Sequence, residues 1–259
     1  MSKLTQRLNL IRGLSKNDIA KLASIGVETC HALAGMEAEE LVAHFKWTIN
    51  KALNVVLHAK AIRDNKVYVK KVPNLPEGVI YFYDVETFGS ITYLHGIIKL
   101  KHEKREEFSF FAKTPLEEFV IWNNFLDFLS HEENPCVIYS WTNYEWRRVN
   151  SLWEKYGGNE VGWELLKNNL VDQYVLVRDH FAFPARSYSL KAVAPIFGFD
   201  WHTPEPSGLK AEQWYRLWLE TGNKQFLDEV ITYNLDDVRA MERIHYGISE
   251  IVADINSKL

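Results

Sequence analysis

The chain has 259 residues, of which 47% are hydrophobic and 14% aromatic, so it can bury a sizeable core and does not have a disordered composition. No apolar run approaches the ~20 residues of a membrane-spanning helix, and the first residues lack an uninterrupted apolar segment, so we expect neither a membrane anchor nor a secretory signal. The two distant cysteines, Cys30 and Cys136, exclude a disulfide framework and a cysteine-based metal cluster, and they fit a reducing, cytoplasmic setting.

The net charge of −4 is divided unevenly along the chain. Residues 1–78 hold 12 Lys/Arg against 7 Asp/Glu, a balance of +5, whereas residues 79–259 hold 18 against 27, a balance of −9. A basic part followed by an acidic part predicts that the first contacts a polyanion and the second holds cations. Two ordinary solvated surfaces would give the same counts, so charge alone leaves both interpretations open.

The N-terminal part shows helical periodicity, because apolar residues recur at three- and four-residue steps across residues 4–63. Ser15 is a candidate N-cap, and Gly26 stands where one helix could end. Residues 71–78 contain two prolines and a glycine, which are typical of a linker. We therefore predict a small helical domain over residues 1–70, a linker over 71–78 and a second domain over 79–259.

Residues 17–33 resemble a helix–hairpin–helix, a motif in which backbone N–H groups at a glycine turn bind a phosphate. This chain has the single Gly26 where the motif has a Gly-x-Gly pair, and Glu28 follows. The segment predicts either phosphate binding or a helical module for packing or for a protein partner, and the sequence leaves the two open.

A different pattern begins at Val79. Residues 79–84, 90–100 and 107–113 are β-rich runs separated by short polar breaks, which predicts an antiparallel meander. Thr114 and Pro115 open a predicted helix to about Leu129, and residues 135–140 form a short buried strand. The helices predicted after it cover residues 143–156, 163–179, 189–197, 210–221 and 224–247. This order predicts an α/β domain, a mixed sheet flanked by helices.

Asp84-Val-Glu86-Thr87 closes the first of these strands. Because side chains alternate along a strand, Asp84 and Glu86 are expected on the same face, where their charges repel unless a cation compensates them. Oxygen ligands of this kind suit Mg²⁺. The alternative is a solvated strand end.

Four further acidic residues lie in positions with a possible function. Tyr233 and Asp237 are four residues apart in a predicted helix, so they share a face on which a phenol could orient a metal-bound water. Glu145 begins a helix, where a carboxylate is either a metal ligand or simply favourable. Asp172 lies among apolar residues and is expected to be paired, capping or functional, while Asp236 is expected to be solvated or capping.

The order of these signals resembles the DEDD exonuclease superfamily in its tyrosine-bearing branch, over residues 79–250. Four segments are also similar to the RNase H-like nuclease half predicted in RecB-like nuclease fusion proteins: Asp84–Glu86, Tyr144-Glu145, Ser187–Lys191 and Tyr233–Asp237. The superfamily usually has Asp where this chain has Glu145, which makes Asp172 a competing candidate for that ligand.

The resemblance implies an RNase H-like fold and a metal-dependent 3′→5′ exonuclease that acts on single-stranded nucleic acid, with DNA favoured over RNA. It implies two divalent ions, Mg²⁺ or Mn²⁺, about 3.5–4 Å apart. Their ligands would be Asp84, Glu86, Glu145 and Asp237, with Asp172 as the alternative to Glu145. Tyr233 would orient the attacking water.

Thr87, Arg147 and Lys191 are the candidates for contacts with the substrate. A second hypothesis, from a different class, is a catalytically degenerate RNase H-like fold that serves as a nucleic-acid-binding or interaction module.

Overall fold

The structure is a computed structural model that describes residues 7–102 and 104–258. The chain forms two compact units. The first, here called the helical unit, comprises Met1–Pro73 and Val175–Ile196, and the second, the sheet unit, comprises Asn74–Tyr174 and Phe197–Leu259. The segment 175–196 thus packs with the N-terminal residues, although its position in the chain predicts that it belongs to the domain over 79–259.

The helices and strands of the described residues are, in chain order, α1 (Lys16–Ser24), α2 (Cys30–Ala34), α3 (Ala38–Phe45), α4 (Ile49–Asp64), β1 (Tyr68–Val69), β2 (Val79–Phe88), β3 (Ile91–Lys101), β4 (Lys104–Phe111), α5 (Glu118–Ser130), β5 (Cys136–Ser140), α6 (Tyr144–Tyr156), α7 (Glu160–Asn169), β6 (Leu170–Asp172), α8 (Gln173–His180), β7 (Phe181–Ala182), α9 (Leu190–Val193), α10 (Gly208–Thr221) and α11 (Lys224–Asn256). Short 3₁₀ turns cover Leu8–Leu10, Pro115–Glu117 and Ala194–Phe197.

Helix α1 of the helical unit begins with a capping box. The Ser15 hydroxyl accepts the backbone N–H of Asp18 at 3.1 Å, and the Asp18 carboxylate accepts the N–H of Ser15 at 2.9 Å. Gly26 follows α1 with a φ of +80°, and Thr29 caps α2, which has only five residues. The helical N-terminal region is therefore confirmed, while phosphate binding at its turn stays a prediction.

A short antiparallel pair joins the two chain segments of the helical unit. Tyr68 of β1 is in register with Ala182 of β7, and the N–H of Lys70 donates to the carbonyl of His180 at 2.8 Å. Strands of two residues have no readable alternation, so the sequence pattern did not reveal this pairing.

Charge is separated between the two units more sharply than along the chain. The helical unit has 15 Lys/Arg and 7 Asp/Glu, a balance of +8, and the sheet unit has 15 and 27, a balance of −12. The difference arises because the segment 175–196 contributes three basic residues and one acidic residue to the helical unit, and because Glu77 belongs to the sheet unit. A chain that joins a basic unit to an acidic one is consistent with the predicted division of labour, which stays a prediction.

The sheet unit contains a five-stranded sheet in the order β4-β3-β2-β5-β6. The β2–β3 and β3–β4 pairs are antiparallel, and the β2–β5 and β5–β6 pairs are parallel. The predicted mixed sheet flanked by helices is therefore confirmed. Strand β2 lies at its centre, which places the Asp84-Val-Glu86 segment between neighbours on both sides.

The two faces of β2 are covered by different elements. Tyr83 and Val85 point into the core that contains Phe125 of α5, whereas Phe82 faces the other way and its ring lies 5.7 Å from that of His245 on α11. Alternation along β2 therefore turns Asp84 toward the α11 side as well.

No helix among residues 7–102 and 104–258, α11 included, is both long and apolar enough to cross a membrane.

The single helix predicted over residues 163–179 is wrong. The structure has α7, then strand β6, then α8, and Asp172 of β6 is in parallel register with Ser140 of β5. A three-residue strand between two helices carries no period of its own, and it forms here because the edge of β5 supplies its hydrogen-bond partners.

Candidate metal centre

Three carboxylates converge at the centre of the sheet unit. Asp84 and Glu86 come from β2 and Asp237 from α11, and one ligand oxygen from each lies within 4.8 Å of the others. The β2–β3 register shifts between Glu86 and Thr87, so a β-bulge immediately follows the pair. Such bulges re-aim side chains next to functional sites. Oxygen ligands at this spacing fit a hard divalent cation, and the charges they bring together would otherwise repel.

Glu145, the second residue of α6, is buried beside this cluster. Burial, and next the nearby charge of Asp84, raise the pKa of Glu145 well above its ordinary value, and Asp172 and Asp237 act in the same direction. Its Oε2 atom is buried and has no hydrogen-bond partner among the residues that the structure describes. A buried carboxyl oxygen without a donor calls for a cation or a proton, so Glu145 also fits a metal-binding role.

Asp172 has a different environment at the end of β6. Its carboxylate accepts the backbone N–H of Thr142 at 3.0 Å, and Thr142 has a φ of +76°, which is strained for a β-branched residue. Asp172 therefore holds the turn between β5 and α6, the turn that leads directly to Glu145. It is not one of the three converging carboxylates.

Two side chains that the sequence analysis missed support the carboxylates. The Nδ2 of Asn234 donates to Asp84 Oδ2 at 2.7 Å, and the indole N–H of Trp201 donates to Asp237 Oδ1 at 2.7 Å. Asn234 is fully buried on α11, directly after Tyr233. The amide residue within the Tyr233–Asp237 segment was visible in the sequence. Its role was not, because the group to which it donates lies 150 residues away in the chain.

Gly96 makes the contact between Asn234 and Asp84 possible. It lies on β3 in register with Asp84, and a Cβ at this position would be 1.8 Å from Asn234 Oδ1. No side chain larger than hydrogen fits there without displacing the amide. The glycine thus lets Asn234 reach over β3 to the acidic cluster.

Tyr233 shares a face with Asp237, as predicted, and their side chains are hydrogen-bonded. Burial, and next the charge of Asp237, raise the pKa of the Tyr233 phenol above its ordinary value. The phenol therefore stays protonated at neutral pH. It can donate a hydrogen bond, and it is unsuited to take up a proton as a base.

The expectation of a solvated Asp236 is wrong. This residue is fully buried, and its carboxylate accepts the backbone N–H of His202 at 2.8 Å and a hydrogen bond from Arg239 at 3.1 Å. His202 follows Trp201, so two adjacent residues of α11 anchor the same loop. Asp236 holds the loop that brings the Trp201 indole to Asp237.

The candidates for substrate contacts lie in three places. The Thr87 hydroxyl hydrogen-bonds with the phenol of Tyr144 at 2.8 Å, next to the acidic cluster. Arg147 is exposed on α6, and its Nε donates to the Asn143 carbonyl at 3.3 Å. Lys191 lies on α9 in the helical unit, whereas all the clustered carboxylates lie in the sheet unit.

The fold and the acidic cluster define an α/β domain with a candidate site for divalent cations. A family model described as the RNase_H superfamily matches residues 81–248, more than half of the chain. The chain therefore belongs to the RNase H superfamily, and the predicted RNase H-like fold is confirmed. No match was found among curated proteins, and none among solved structures.

Proposed function

We propose that the chain is a metal-dependent nuclease that removes nucleotides from the 3′ end of single-stranded nucleic acid, with DNA favoured over RNA. The observation that carries the proposal is the convergence of Asp84, Glu86 and Asp237 within 4.8 Å in an RNase H superfamily domain. The 3′→5′ direction rests on the resemblance of the motif order to the tyrosine-bearing branch of the DEDD exonucleases.

Asp84, Glu86 and Asp237 would hold Mg²⁺ or Mn²⁺, with Glu145 completing the set. When bound, divalent ions at such a site lower the pKa of water and stabilise the negative charge that develops on phosphodiester oxygens. Asn234 and Trp201 fix the orientations of Asp84 and Asp237, because each donates to one carboxylate oxygen. A carboxylate has about four lone-pair sites on its two oxygens, so one donor leaves acceptor capacity for a cation.

Tyr233 would act through its protonated hydroxyl. With its pKa raised by burial and by Asp237, the phenol stays protonated and donates to Asp237, so its oxygen would accept a hydrogen bond from a water and orient that water at the scissile phosphodiester. Thr87, which follows Glu86 on β2, and the Tyr144 phenol bonded to it are proposed to contact the terminal nucleotide.

A second candidate function is a degenerate nuclease domain that binds nucleic acid or a protein without cleaving. The donors from Asn234 and Trp201 favour it, because they stabilise the carboxylates of Asp84 and Asp237 in the absence of metal. Thermal unfolding with added Mn²⁺ separates the two candidates. A metal-binding cluster gains stability in proportion to the logarithm of the metal concentration above Kd, and a self-sufficient cluster does not.

The decisive experiment is incubation with single-stranded DNA and RNA in Mg²⁺ or Mn²⁺, with Asp84→Asn as the matched control. A 5′-labelled strand should give a ladder that shortens progressively, and a 3′-phosphorylated strand should resist. Cleavage of a circular single strand would contradict an exonuclease. Absence of cleavage under every metal condition would favour the degenerate domain.

A further inference from the structure

The helical unit contains a concave site that is separate from the carboxylate cluster, a pocket of about 620 Å³ in which most charged groups are positive. We call it the basic pocket. Its charged and amide side chains include those of Arg12, Asn54, Lys70, Lys71, Arg178 and Asp179. Among the lining residues that the structure describes, Asp179 is the only carboxylate, and it accepts hydrogen bonds from Arg178 at 2.6 and 3.0 Å.

Arg12 is held in place by its surroundings. Its guanidinium lies over the ring of Tyr188, 4.8 Å from the centroid, and its backbone N–H donates to His58 Nδ1 at 2.8 Å. His58 Nε2 in turn donates to the carbonyl of Ala185 at 2.9 Å. A guanidinium stacked on a buried ring is positioned before any ligand arrives, which lowers the entropic cost of binding.

Lys70 is a half-buried cation among other cations. Its ammonium donates to the carbonyl of Arg178 at 2.7 Å. Burial, and next the charge of Arg12, lower the pKa of Lys70 to about 8. Within the described part of the chain, neither Lys70 nor Lys71 takes part in an ion pair. Among the described lining residues, four basic side chains face the single carboxylate of Asp179, whose charge also acts on Lys70, so the pocket keeps an excess of positive charge.

We propose that the basic pocket binds a phosphate group, supplied by a nucleic-acid strand or by free phosphate. A planar guanidinium, two ammonium groups and the Asn54 amide match a tetrahedral anion with several acceptor oxygens. An anion in the pocket relieves the mutual repulsion of Arg12 and Lys70, and the pocket has room for a nucleotide around the phosphate. This proposal goes beyond the proposed function, because binding in the helical unit does not depend on cleavage.

The segment Ser187–Lys191, one of the four that carry the resemblance to RNase H-like nucleases, contributes a residue to the basic pocket. Tyr188, within that segment, accepts the N–H of Phe183 on its phenol at 2.9 Å and supports Arg12 with its ring. Tyr188 thus lines the basic pocket, and the segment lies in the helical unit. It is a support for anion binding in that unit.

The test uses the full chain in EDTA, so that failure of the metal site does not affect the result. Two variants make the pocket less positive. Lys71→Glu lowers its charge by two, and Asn54→Glu lowers it by one. Both positions are exposed, which limits the risk to folding. The matched controls are Lys21→Glu and Asn17→Glu, which make the same charge changes at exposed positions of α1 outside the pocket. Circular dichroism melts in chloride check that each variant folds.

The first measurement is the thermal shift produced by inorganic phosphate relative to chloride at equal ionic strength. The second is fluorescence anisotropy with an oligothymidylate that carries either a 5′-phosphate or a 5′-hydroxyl. We expect both pocket variants to bind the oligonucleotide about tenfold more weakly than their controls. The slope of the logarithm of the association constant against the logarithm of the salt concentration should also become shallower by about 0.7 for each lost phosphate contact.

The arms distinguish the sources of the phosphate. Pocket-dependent stabilisation by inorganic phosphate alone supports a free phosphate ligand. Tighter binding of the 5′-phosphorylated strand supports a strand terminus, and equal binding of both strands supports an internal phosphodiester. Pocket variants that behave like their controls toward all three probes would overturn the proposal. So would a polyglutamate peptide that binds in a pocket-dependent way when the phosphate probes do not.

Discussion

The side-chain amide of Asn234 donates to Asp84 across a strand residue that has no side chain, Gly96. Asp84 and Gly96 are direct partners in the β2–β3 ladder, and the Asn234 side chain on α11 contacts both residues. The acidic cluster is therefore oriented by the closeness of a helix to the sheet. Loss of either the amide or the space for it should change the position of Asp84.

The first prediction concerns this close approach. Gly96→Ala should lower the free energy of unfolding by about 1–3 kcal/mol, because its methyl group takes the place of the Asn234 amide oxygen. Gly96→Ala combined with Asn234→Ala should recover part of that loss, since the clash is gone, yet should not recover metal affinity. Urea unfolding and Mn²⁺ titration measure the two effects. If the double variant is no more stable than Gly96→Ala, the packing account is wrong.

The second prediction concerns the carboxylates. Asp84→Asn or Asp237→Asn should reduce turnover by at least about 10²-fold. Without metal, either variant should be as stable as the original chain, because one of the mutually repelling charges is removed. Stability is measured by urea unfolding in EDTA, and turnover by single-turnover cleavage. Activity near that of the original chain in either variant would remove that residue from the site.

The third prediction ranks the two candidates for the remaining ligand. Glu145→Gln should harm cleavage more than Asp172→Asn, because Glu145 lies beside Asp84 and has a buried, unsatisfied oxygen. Asp172→Asn keeps an oxygen for the Thr142 N–H, so the strained turn should survive. Cleavage rates and Mn²⁺ affinities of the two variants give the ranking. The opposite order would identify Asp172 as the ligand.

The fourth prediction isolates the Tyr233 hydroxyl. Tyr233→Phe should slow hydrolysis by about 10²-fold, with little change in substrate affinity, since only the hydrogen bond is lost. Tyr215→Phe is the matched control, because it removes a buried hydroxyl that bonds the carbonyl of Ala112 within the same unit. Single-turnover rates are compared. Equal rates for the two variants would reduce Tyr233 to a packing role.

Local periodicity made part of the site readable from the sequence. Asp84 and Glu86 share a face because a strand repeats every two residues, and Tyr233 and Asp237 share one because a helix places residues four apart together. The sheet that joins them could be predicted from the order of strands and helices. These features depend on near neighbours in the chain, which sequence patterns represent well.

The unpredicted features all depend on distant partners. Asn234 and Trp201 were missed because their roles are set by Asp84 and Asp237, which reach them only in the fold. The buried Asp236 was mistaken for a solvated residue because its partner His202 lies on a loop without periodicity. The segment 175–196 was assigned by its position in the chain, whereas long-range pairing of β7 with β1 fixes its place.

The last prediction concerns the stability of the helical unit at acid pH. His58 accepts the Arg12 N–H on Nδ1 and donates from Nε2 to Ala185, so the neutral ring satisfies both bonds and protonation at Nδ1 would break the first. Burial lowers the pKa of His58 to about 4, although the hydrogen bond to Ala185 acts in the opposite direction. The unfolded chain therefore binds a proton at a higher pH than the folded chain does.

The sign follows from linkage. The contribution of His58 is complete above the unfolded pKa of about 6.5 and is lost as pH falls toward 4, by up to about 1.4 kcal/mol per pH unit. His95 and His245, whose pKa values burial lowers to about 3 and about 4, add losses of the same sign in the sheet unit. His58→Asn keeps an acceptor for Arg12 and cannot titrate, so its unfolding free energy should fall less steeply between pH 6.5 and 4.5. Urea unfolding across this range measures the slopes, and a His58 pKa near 6.5 by NMR would contradict the argument.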